Sequence, residues 1–320
     1  MLNRFLSLLC LAVLLATAAP GAEAPRRAAQ RGQRALWVWR AGFLESEKEL
    51  QDLLQFARMR NIRTLFLFTS TRRLENDPEG FRRLLRQAHR RRLAVQALNG
   101  EPHWIFPEQR DEARAFLKAV EEFNRGSSAD ARFDAIHLDV EPQSLPEWKV
   151  EASERSRRKL AERYLDFVKW SRHRTRESNI PLALDIPVAF NRIRVESGPL
   201  VEALLERADQ LAVMAYKDEV TEVLNHAAPS LHPARRMGKK VWVGLSADPG
   251  DLPRPPDGQP LEKEIEKIAR QVEKSLRTQP GFQGVAIHDY DSYRRAFCKP
   301  GQECHPPLKA AKVGAGAPQP

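Results

Sequence analysis

Short apolar segments alternate along this chain with longer stretches in which apolar residues recur every three or four positions. The short segments predict buried β-strands, and the longer ones predict helices with one apolar face. Strands are predicted in this way at residues 35–39, 64–68, 93–98, 133–142, 182–186, 210–216, 240–245 and 284–288. Helices are predicted between them at residues 47–60, from 77 onward, and at 107–124, 153–176, 199–207, 219–227 and 261–276.

The strict alternation of strand and helix predicts a parallel sheet with helices outside it, and eight repeats predict that the sheet closes. The expected fold is therefore an α/β protein with a single-domain (β/α)8 TIM barrel over residues 35–308. An open doubly wound sheet is the alternative, and it usually has a glycine-rich phosphate-binding turn after its first strand. The chain has Arg40-Ala41-Gly42-Phe43 there, and it contains neither a phosphate-binding loop nor a Gly-x-Ser-x-Gly motif.

The fourth predicted strand ends in two acids. Because successive side chains of a strand point to opposite faces, His137, Asp139 and Glu141 share one face, and the apolar residues between them share the other. Pro142 cannot continue a hydrogen-bonded ladder, so the acids lie at the C-terminal end of the strand, where TIM barrels build their active sites. Two close carboxyl groups disfavour double ionisation, which raises one pKa and keeps an acid available near neutral pH. An acid pair that only caps the following loop is the structural alternative.

Closure of the barrel would bring the ends of the other strands around Glu141. A mouth lined by acids and aromatic rings suits a sugar, whose ring faces stack on indoles while its hydroxyl groups need fixed hydrogen-bond partners. Besides the acids of the fourth strand, the predicted substrate-binding residues are Trp37, Trp39, Asn99, Glu101, Trp104, His137, Asp185, Met214, His288 and Asp289.

Three motifs support a resemblance to a known family. The order Asp134, His137, Asp139 and Glu141 resembles the Asp-x-x-Asp-x-Asp-x-Glu strand of family 18 glycoside hydrolases, the chitinase-like (β/α)8 barrels, with His137 in place of the second Asp. The stretch Val213-Met214-Ala215-Tyr216 resembles the Met-x-Tyr of that family's sixth strand, and Gly244-Leu245-Ser246 resembles the Gly-Leu/Val-Pro of its seventh. The likeness spans strands four to eight in the same order and is specific at the fourth, which makes it a remote, superfamily-level resemblance.

The resemblance implies roles for individual residues. Glu141 would be the general acid and base that protonates the glycosidic oxygen, and Asp139 would orient the substrate's acetamido group as internal nucleophile. Tyr216 would hydrogen-bond near that group. The chain departs from the family at His137, which, if protonated, would hold Asp139 ionised. It also has His288 in place of the family's eighth-strand Trp and Asn99-Gly100 within its equivalent of Ser-x-Gly-Gly, so specificity for acetamido sugars stays open.

Three alternatives to this interpretation remain. Glycosidases with an acid on strand four and a nucleophile on strand seven would need Asp248 or Asp185 as the nucleophile. A secreted carbohydrate-binding barrel without turnover is the second, although lectins that resemble family 18 usually lose the catalytic Glu that this chain keeps. A metal-dependent hydrolase could use His103, His137 and His288, but no His-x-His or His-Glu-x-x-His spacing is present. We therefore predict neither a cofactor nor a metal.

The first residues predict an export signal. Asn3 and Arg4 precede an apolar run from Phe5 to Thr17, and Ala22-Glu23-Ala24 offers a cleavage site, so residues 1–24 are predicted to be a signal peptide. An uncleaved anchor is the alternative, although the apolar run is shorter than the ~20 residues that span a bilayer.

The segments that flank the barrel are predicted from composition. Residues 25–34 are expected to be a linker, and residues 309–320 are expected to be a disordered tail. In an oxidising compartment, Cys298 and Cys304 are predicted to form a disulfide rather than a metal site with His305.

The formal net charge of +10 comes mostly from arginines on predicted helix faces, which are expected to be solvated. Such a basic exterior would also attract polyanions, but no nucleic-acid-binding motif accompanies it. The sequence thus predicts an exported, monomeric glycoside hydrolase, periplasmic or extracellular, that acts on a cell-envelope or extracellular polysaccharide. It predicts no nucleic-acid partner and no membrane span after signal cleavage.

Overall fold

The computed structural model describes residues 33–40, 42–149, 153–252 and 261–297. The predicted signal peptide, the predicted Cys298–Cys304 disulfide and the predicted tail lie outside these residues. Most of the predicted linker also lies outside them, but its last two residues, Gln33 and Arg34, belong to the first strand.

Eight parallel strands form a closed barrel in chain order, and the first strand pairs with the last to close the ring. This confirms the predicted α/β TIM barrel. The strands are β1 (Gln33–Val38), β2 (Ile62–Phe68), β3 (Ala94–Asn99), β4 (Ala135–Leu138), β5 (Leu182–Pro187), β6 (Gln210–Met214), β7 (Lys240–Ser246) and β8 (Phe282–His288). A small antiparallel ribbon, Arg194–Val195 with Gly198–Pro199, lies in the connection after β5.

Helices connect the strands. They are α1 (Glu47–Met59), α2 (Thr71–Asn76), α3 (Pro78–Arg90), α4 (Asp111–Arg125), α5 (Glu154–Thr175), α6 (Leu200–Leu205), α7 (Val220–Met237), α8 (Glu262–Leu276) and α9 (Tyr290–Arg295). The predicted start of α4 at 107 is wrong, because Pro107–Gln109 forms a separate 3-10 turn. The predicted end of α7 at 227 is also wrong. This helix continues through two prolines because Leu231 and Ala234 extend its buried face.

The core has two layers, as expected for strands whose side chains alternate between faces. Inside the ring, Trp37, Phe66 and Trp242 pack together with small residues. Between the ring and the helices lies a larger apolar layer that includes Ile136 and Leu138. The predicted alternation along β4 is therefore confirmed, since its apolar residues face the helices while its polar residues enter the ring.

All strands run the same way, so every connection from strand to helix lies at one end of the barrel. We call the end at which the strands finish the mouth and the opposite end the base. Among the described residues, no helix combines the length and apolar character needed to cross a membrane.

Candidate active site

The two acids lie just beyond the last ladder residue of β4. The amide of Asp139 still donates to the carbonyl of Asn99 at 3.1 Å, and Pro142 then begins a 3-10 turn. A Cβ atom on Gly100 would lie 1.9 Å from the carbonyl oxygen of Asp139, closer than any side chain can approach. Glycine at this position therefore lets the tips of β3 and β4 press together and holds Asp139 and Glu141 at the mouth.

Beneath the acids, hydrogen bonds cross the interior of the barrel. The indole of Trp242 donates to Oε1 of Gln210 at 3.1 Å, and the amide of Gln96 donates to the same oxygen at 3.1 Å. Oε1 of Gln96 lies 2.8 Å from Nδ1 of His137. His137 is thus joined to three strands besides its own.

On the other side of His137, the contacts continue through Asp185 to the indole of Trp37. Trp37 donates to Oδ2 of Asp185 at 2.9 Å. The other oxygen, Oδ1, lies 2.9 Å from Nε2 of His137, at ion-pair distance but outside the alignment of a hydrogen bond. His137 and Asp185 are both buried, with side chains 0% and 1% exposed, so neither exchanges its partner for water.

The indole donors determine where the protons lie. An indole N–H can only donate, so Oε1 of Gln210 must accept, and Gln96 must turn its amide nitrogen toward it. Gln96 then presents its oxygen to His137, which must carry a proton on Nδ1. Nε2 of His137 then faces Oδ1 of Asp185 at 2.9 Å, and neither atom has a hydrogen-bond partner among the described residues. The ring of His137 thus contacts Gln96 and Asp185, while its expected effect on the ionisation of Asp139 stays a prediction.

The two mouth acids are held in their protonated forms by their surroundings. Burial, followed by the charges of Asp185 and Glu141, raises the pKa of Asp139 well above its usual value. Burial and the charge of Asp185 raise the pKa of Glu141 to about 7, against a hydrogen bond from Gln143 that acts in the opposite direction. Glu141 remains partly exposed at the mouth. It is therefore a carboxyl group that can both hold a proton near neutral pH and meet a ligand.

Aromatic side chains form one wall of the mouth. The indole of Trp39 donates to Nε2 of His288 at 3.2 Å, which places the proton of a neutral His288 on Nδ1. Burial lowers the pKa of His288, in agreement with a neutral ring. The ring of Tyr216 lies 5.4 Å from that of His288 and is tilted by 35°. Tyr216 and Trp39 are both partly exposed at the mouth.

The structure separates the predicted site residues into two groups. Those that are partly exposed at the mouth are Trp39, Asn99, Glu101, Asp139, Glu141, Met214, Tyr216, His288 and Asp289. Those that are buried below it are Trp37, His137 and Asp185. Trp37 is 1% exposed, so it forms the floor beneath the mouth and offers no free ring face.

Trp104 is misplaced by the sequence prediction. It is 3% exposed, and its ring packs 6.3 Å from those of Phe116 and Phe167 in the layer between barrel and helices. The expectation that it presents a flat face to a sugar is wrong. The connection after β3 forms a 3-10 turn at Pro102–Ile105, which turns the indole toward α5.

Sequence reasoning missed four residues of this region. Gln96, Gln210 and Trp242 connect to His137, and a signal for them existed: each is a polar or indole-bearing residue at an inward position of an apolar strand. Tyr164 of α5 gave no such signal. Its hydroxyl group is fully buried without a hydrogen-bond partner among the described residues, and the pKa of Tyr164 is raised by burial and by the charge of Asp185.

No cluster of three or more His, Cys, Asp or Glu side chains suited to a metal ion occurs within the described ranges. The roles assigned to Glu141, Asp139 and Tyr216 from the sequence stay predictions. The arrangement can hold and release a proton at Glu141, next to a second carboxyl group and an aromatic wall.

Comparisons with known proteins bear on the fold. No protein-family model matches the chain, and no curated protein matches it. Among solved structures, the PgaB (BpsB) glycoside hydrolase domain from Bordetella bronchiseptica is 12% identical, with 82% of this chain and 95% of that chain covered and a TM-score of 0.49. A class V chitinase from Pseudomonas fluorescens is 14% identical, with 83% and 98% covered and a TM-score of 0.49.

The spore cortex-lytic enzyme SleL from Bacillus cereus is 10% identical, with 83% of this chain and 73% of that chain covered and a TM-score of 0.49. At these identities and TM-scores the likeness carries no argument about the reaction, since even a shared barrel would not decide it. The chain is a closed eight-stranded parallel barrel.

Proposed function

We propose that this chain is a glycoside hydrolase in which Glu141 is the general acid and Asp139 the assisting carboxyl group. One observation carries the proposal: Glu141 is partly exposed at the mouth, and its pKa is raised to about 7. A glycosidic oxygen is a poor leaving group until it is protonated. A carboxyl group that keeps its proton near neutral pH is the acid that this step requires.

The reaction would proceed in two steps. In the first, Glu141 transfers its proton to the glycosidic oxygen as the bond from that oxygen to the anomeric carbon breaks, and the substrate's acetamido oxygen closes on that carbon from the opposite face. Asp139 hydrogen-bonds the acetamido N–H, and Tyr216 binds beside it. In the second step, Glu141, now ionised, takes a proton from the water that attacks the anomeric carbon, and the bond from that carbon to the acetamido oxygen breaks. Anomeric configuration is retained.

His137 and Asp185 support the acids from below. The charge of Asp185 raises the pKa of Glu141 and so favours its protonated form. Trp37 and Gln96 hold this pair in one orientation. The floor of the site is thus set before any substrate binds, as catalysis by fixed dipoles requires.

For the substrate, we propose a cell-envelope or extracellular polysaccharide that is neutral or bears amino groups. The loops and first helical turns at the mouth, which are residues 39–50, 69–81, 100–114, 139–157, 188–201, 215–223, 247–252 and 289–293, hold among their described residues twenty-two Asp and Glu and twelve Lys and Arg. This excess of negative charge would repel a polyanionic glycan. Export through the predicted signal peptide would bring the chain to such a substrate.

The test is a panel of polysaccharides incubated with wild type, Glu141→Gln and Glu147→Gln, with new reducing ends as the readout. Glu147 is the matched control, because it is an exposed Glu a short distance along the same connection. We expect Glu141→Gln to lower the rate by at least about 10²-fold and Glu147→Gln to leave it unchanged. Because the acid must be protonated, the wild-type rate should fall as the pH rises through about 7.

Other outcomes would overturn the proposal. Equal glycan binding by wild type and Glu141→Gln without products would indicate a carbohydrate-binding barrel. Activity that a chelator abolishes would indicate a metal-dependent hydrolase. Activity that Glu141→Gln retains would remove Glu141 from the reaction.

A further inference from the structure

The base of the barrel carries a large excess of positive charge. It is built from the last helical turns and the connections that lead into β2 to β8, which are residues 56–63, 87–93, 122–134, 172–181, 202–210, 234–240 and 273–282. These segments hold eighteen Lys and Arg and eight Asp and Glu. The mouth has the opposite excess, so the molecule is strongly polarised along the barrel axis.

Many of the base cations are exposed and have no acidic partner within the described part of the chain. Arg63, Arg90, Arg176 and Arg277 are examples. Cations in the last turn of a helix are favoured by the helix dipole, which accounts for Arg90. The dipole does not account for Arg63 or Lys240, which belong to strands. The base therefore has more free positive charge than its helices require.

The charge is spread over a whole end of the barrel. The basic segments belong to connections on all sides of the closed ring, and such a distribution suits a broad surface better than a single linear polymer.

One further feature distinguishes a lipid surface from other polyanions. Met59 is 61% exposed, the one large apolar side chain with this exposure among the described residues, and it lies between Arg58 and Arg60 in the base. An apolar side chain among cations is typical of proteins that rest on a membrane surface.

We propose that the base of the barrel docks on an anionic phospholipid surface and that the mouth consequently faces away from the bilayer. The cations approach lipid phosphates, Met59 enters the headgroup region, and the acidic mouth is repelled from the same surface. The orientation thus follows from the two charges of opposite sign at the two ends.

The test measures co-sedimentation of the full chain with vesicles of phosphatidylcholine alone or mixed with phosphatidylglycerol. The ratio of binding between the two compositions reports the effect of charge. One variant carries Arg63→Gln, Arg90→Gln, Arg176→Gln and Arg277→Gln. The matched control, at the mouth end, carries Lys48→Gln, Arg72→Gln, Arg192→Gln and Arg194→Gln, which are also exposed and have no acidic partner among the described residues.

We expect preferential binding to the anionic vesicles that weakens as salt rises, and a loss on the order of a hundredfold in the base variant. The mouth variant should lose less than about threefold, and Met59→Ser should lose a fewfold without changing the net charge. Equal losses in the two quadruple variants would show that net charge alone matters and would overturn the proposal. Binding to an anionic polysaccharide or nucleic acid without binding to anionic vesicles would overturn it as well.

Discussion

The two ends of β4 carry the same pair of residue types in opposite surroundings. Toward the mouth, His137 meets Asp185 with side chains 0% and 1% exposed. At the base, Asp134 meets His89 at 3.0 Å with side chains 42% and 20% exposed, and the same oxygen of Asp134 accepts from the amide of Val95. The first pair is sealed inside the ring, whereas water reaches the second.

The difference explains why charge is used differently at the two ends. Inside the ring no water can take the place of a missing partner for a charged group, so each proton position is determined by the neighbouring side chains. At the base, solvent screens each charge, and many cations can lie close together at little cost. The mouth therefore suits the control of a proton, and the base suits attraction to a charged surface.

The largest effect should come from breaking the sealed pair. His137→Ala leaves Asp185 buried without its partner, and we expect the free energy of unfolding to fall by about 3–5 kcal/mol. His89→Ala, which breaks the solvated pair, should cost at most about 1 kcal/mol. Urea denaturation followed by circular dichroism measures both. The double mutant tests whether the two residues are coupled. If Asp185→Ala lowers the free energy of unfolding as much in the His137→Ala background as in the wild type, they are not coupled, and the contrast between the sealed and the solvated pair fails.

A smaller effect on the free energy of unfolding should appear when Glu141 at the mouth is replaced by Gln. Burial raises the pKa of Glu141 in the folded state from 4.5 to about 7, so its ionisation destabilises the fold. The folded chain favours the protonated form of Glu141. The contribution of this group to the free energy of unfolding is therefore fully present below pH 4.5 and is lost as the pH rises toward 7. Glu141→Gln removes this loss, and we expect it to be more stable than wild type above pH 7 by up to roughly 3 kcal/mol.

The control for this measurement is Glu147→Gln, which replaces an exposed Glu a short distance along the same connection. Unfolding by urea at several pH values gives both curves. A Glu141→Gln curve parallel to that of the wild type would show that Glu141 titrates normally, and it would weaken the proposed catalytic role.

The smallest effect is expected at the base. Asp134 raises the pKa of His89 above 6.5, so its contribution to stability is present below pH 6.5 and is lost as the pH rises through the folded-state pKa. Asp134→Asn keeps an oxygen for the amide of Val95 but removes the charge. We expect a loss of less than about 1 kcal/mol below pH 6.5 and almost none in alkaline solution. Thermal melts at the two conditions, with proton NMR titration of His89, measure it.

Much of the fold could be predicted because its signals are local. The alternation of apolar and polar residues in β4 gave the correct inward face, and eight such repeats predicted the closed ring. The start of α3 after Asp77 is also a local signal, since its carboxylate accepts from the amide of Gly80 at 2.8 Å. The extension of α7 was missed because it depends on packing against the barrel, which outweighs the cost of its prolines.

The site was predicted in part for the same reason. Glu141 and Asp139 follow from the sequence alone, because strand parity and the following proline place them together at the mouth. Trp104 was wrongly assigned because its direction depends on how the turn at Pro102–Ile105 packs against α5. A pattern along the chain carries no information about such a contact.

The sequence by itself determined the order of the elements, the inward face of each strand and the end of the barrel at which the acids lie. Only the tertiary structure decided that His137 meets Asp185 and Gln96 rather than Asp139. The physical reason is that side-chain parity repeats every two residues within one strand, whereas contacts across the ring depend on the register between strands. In that register His137 lies beside Leu98 of β3 and Ala183 of β5. Asp185 is the next inward-facing residue of β5 after Ala183.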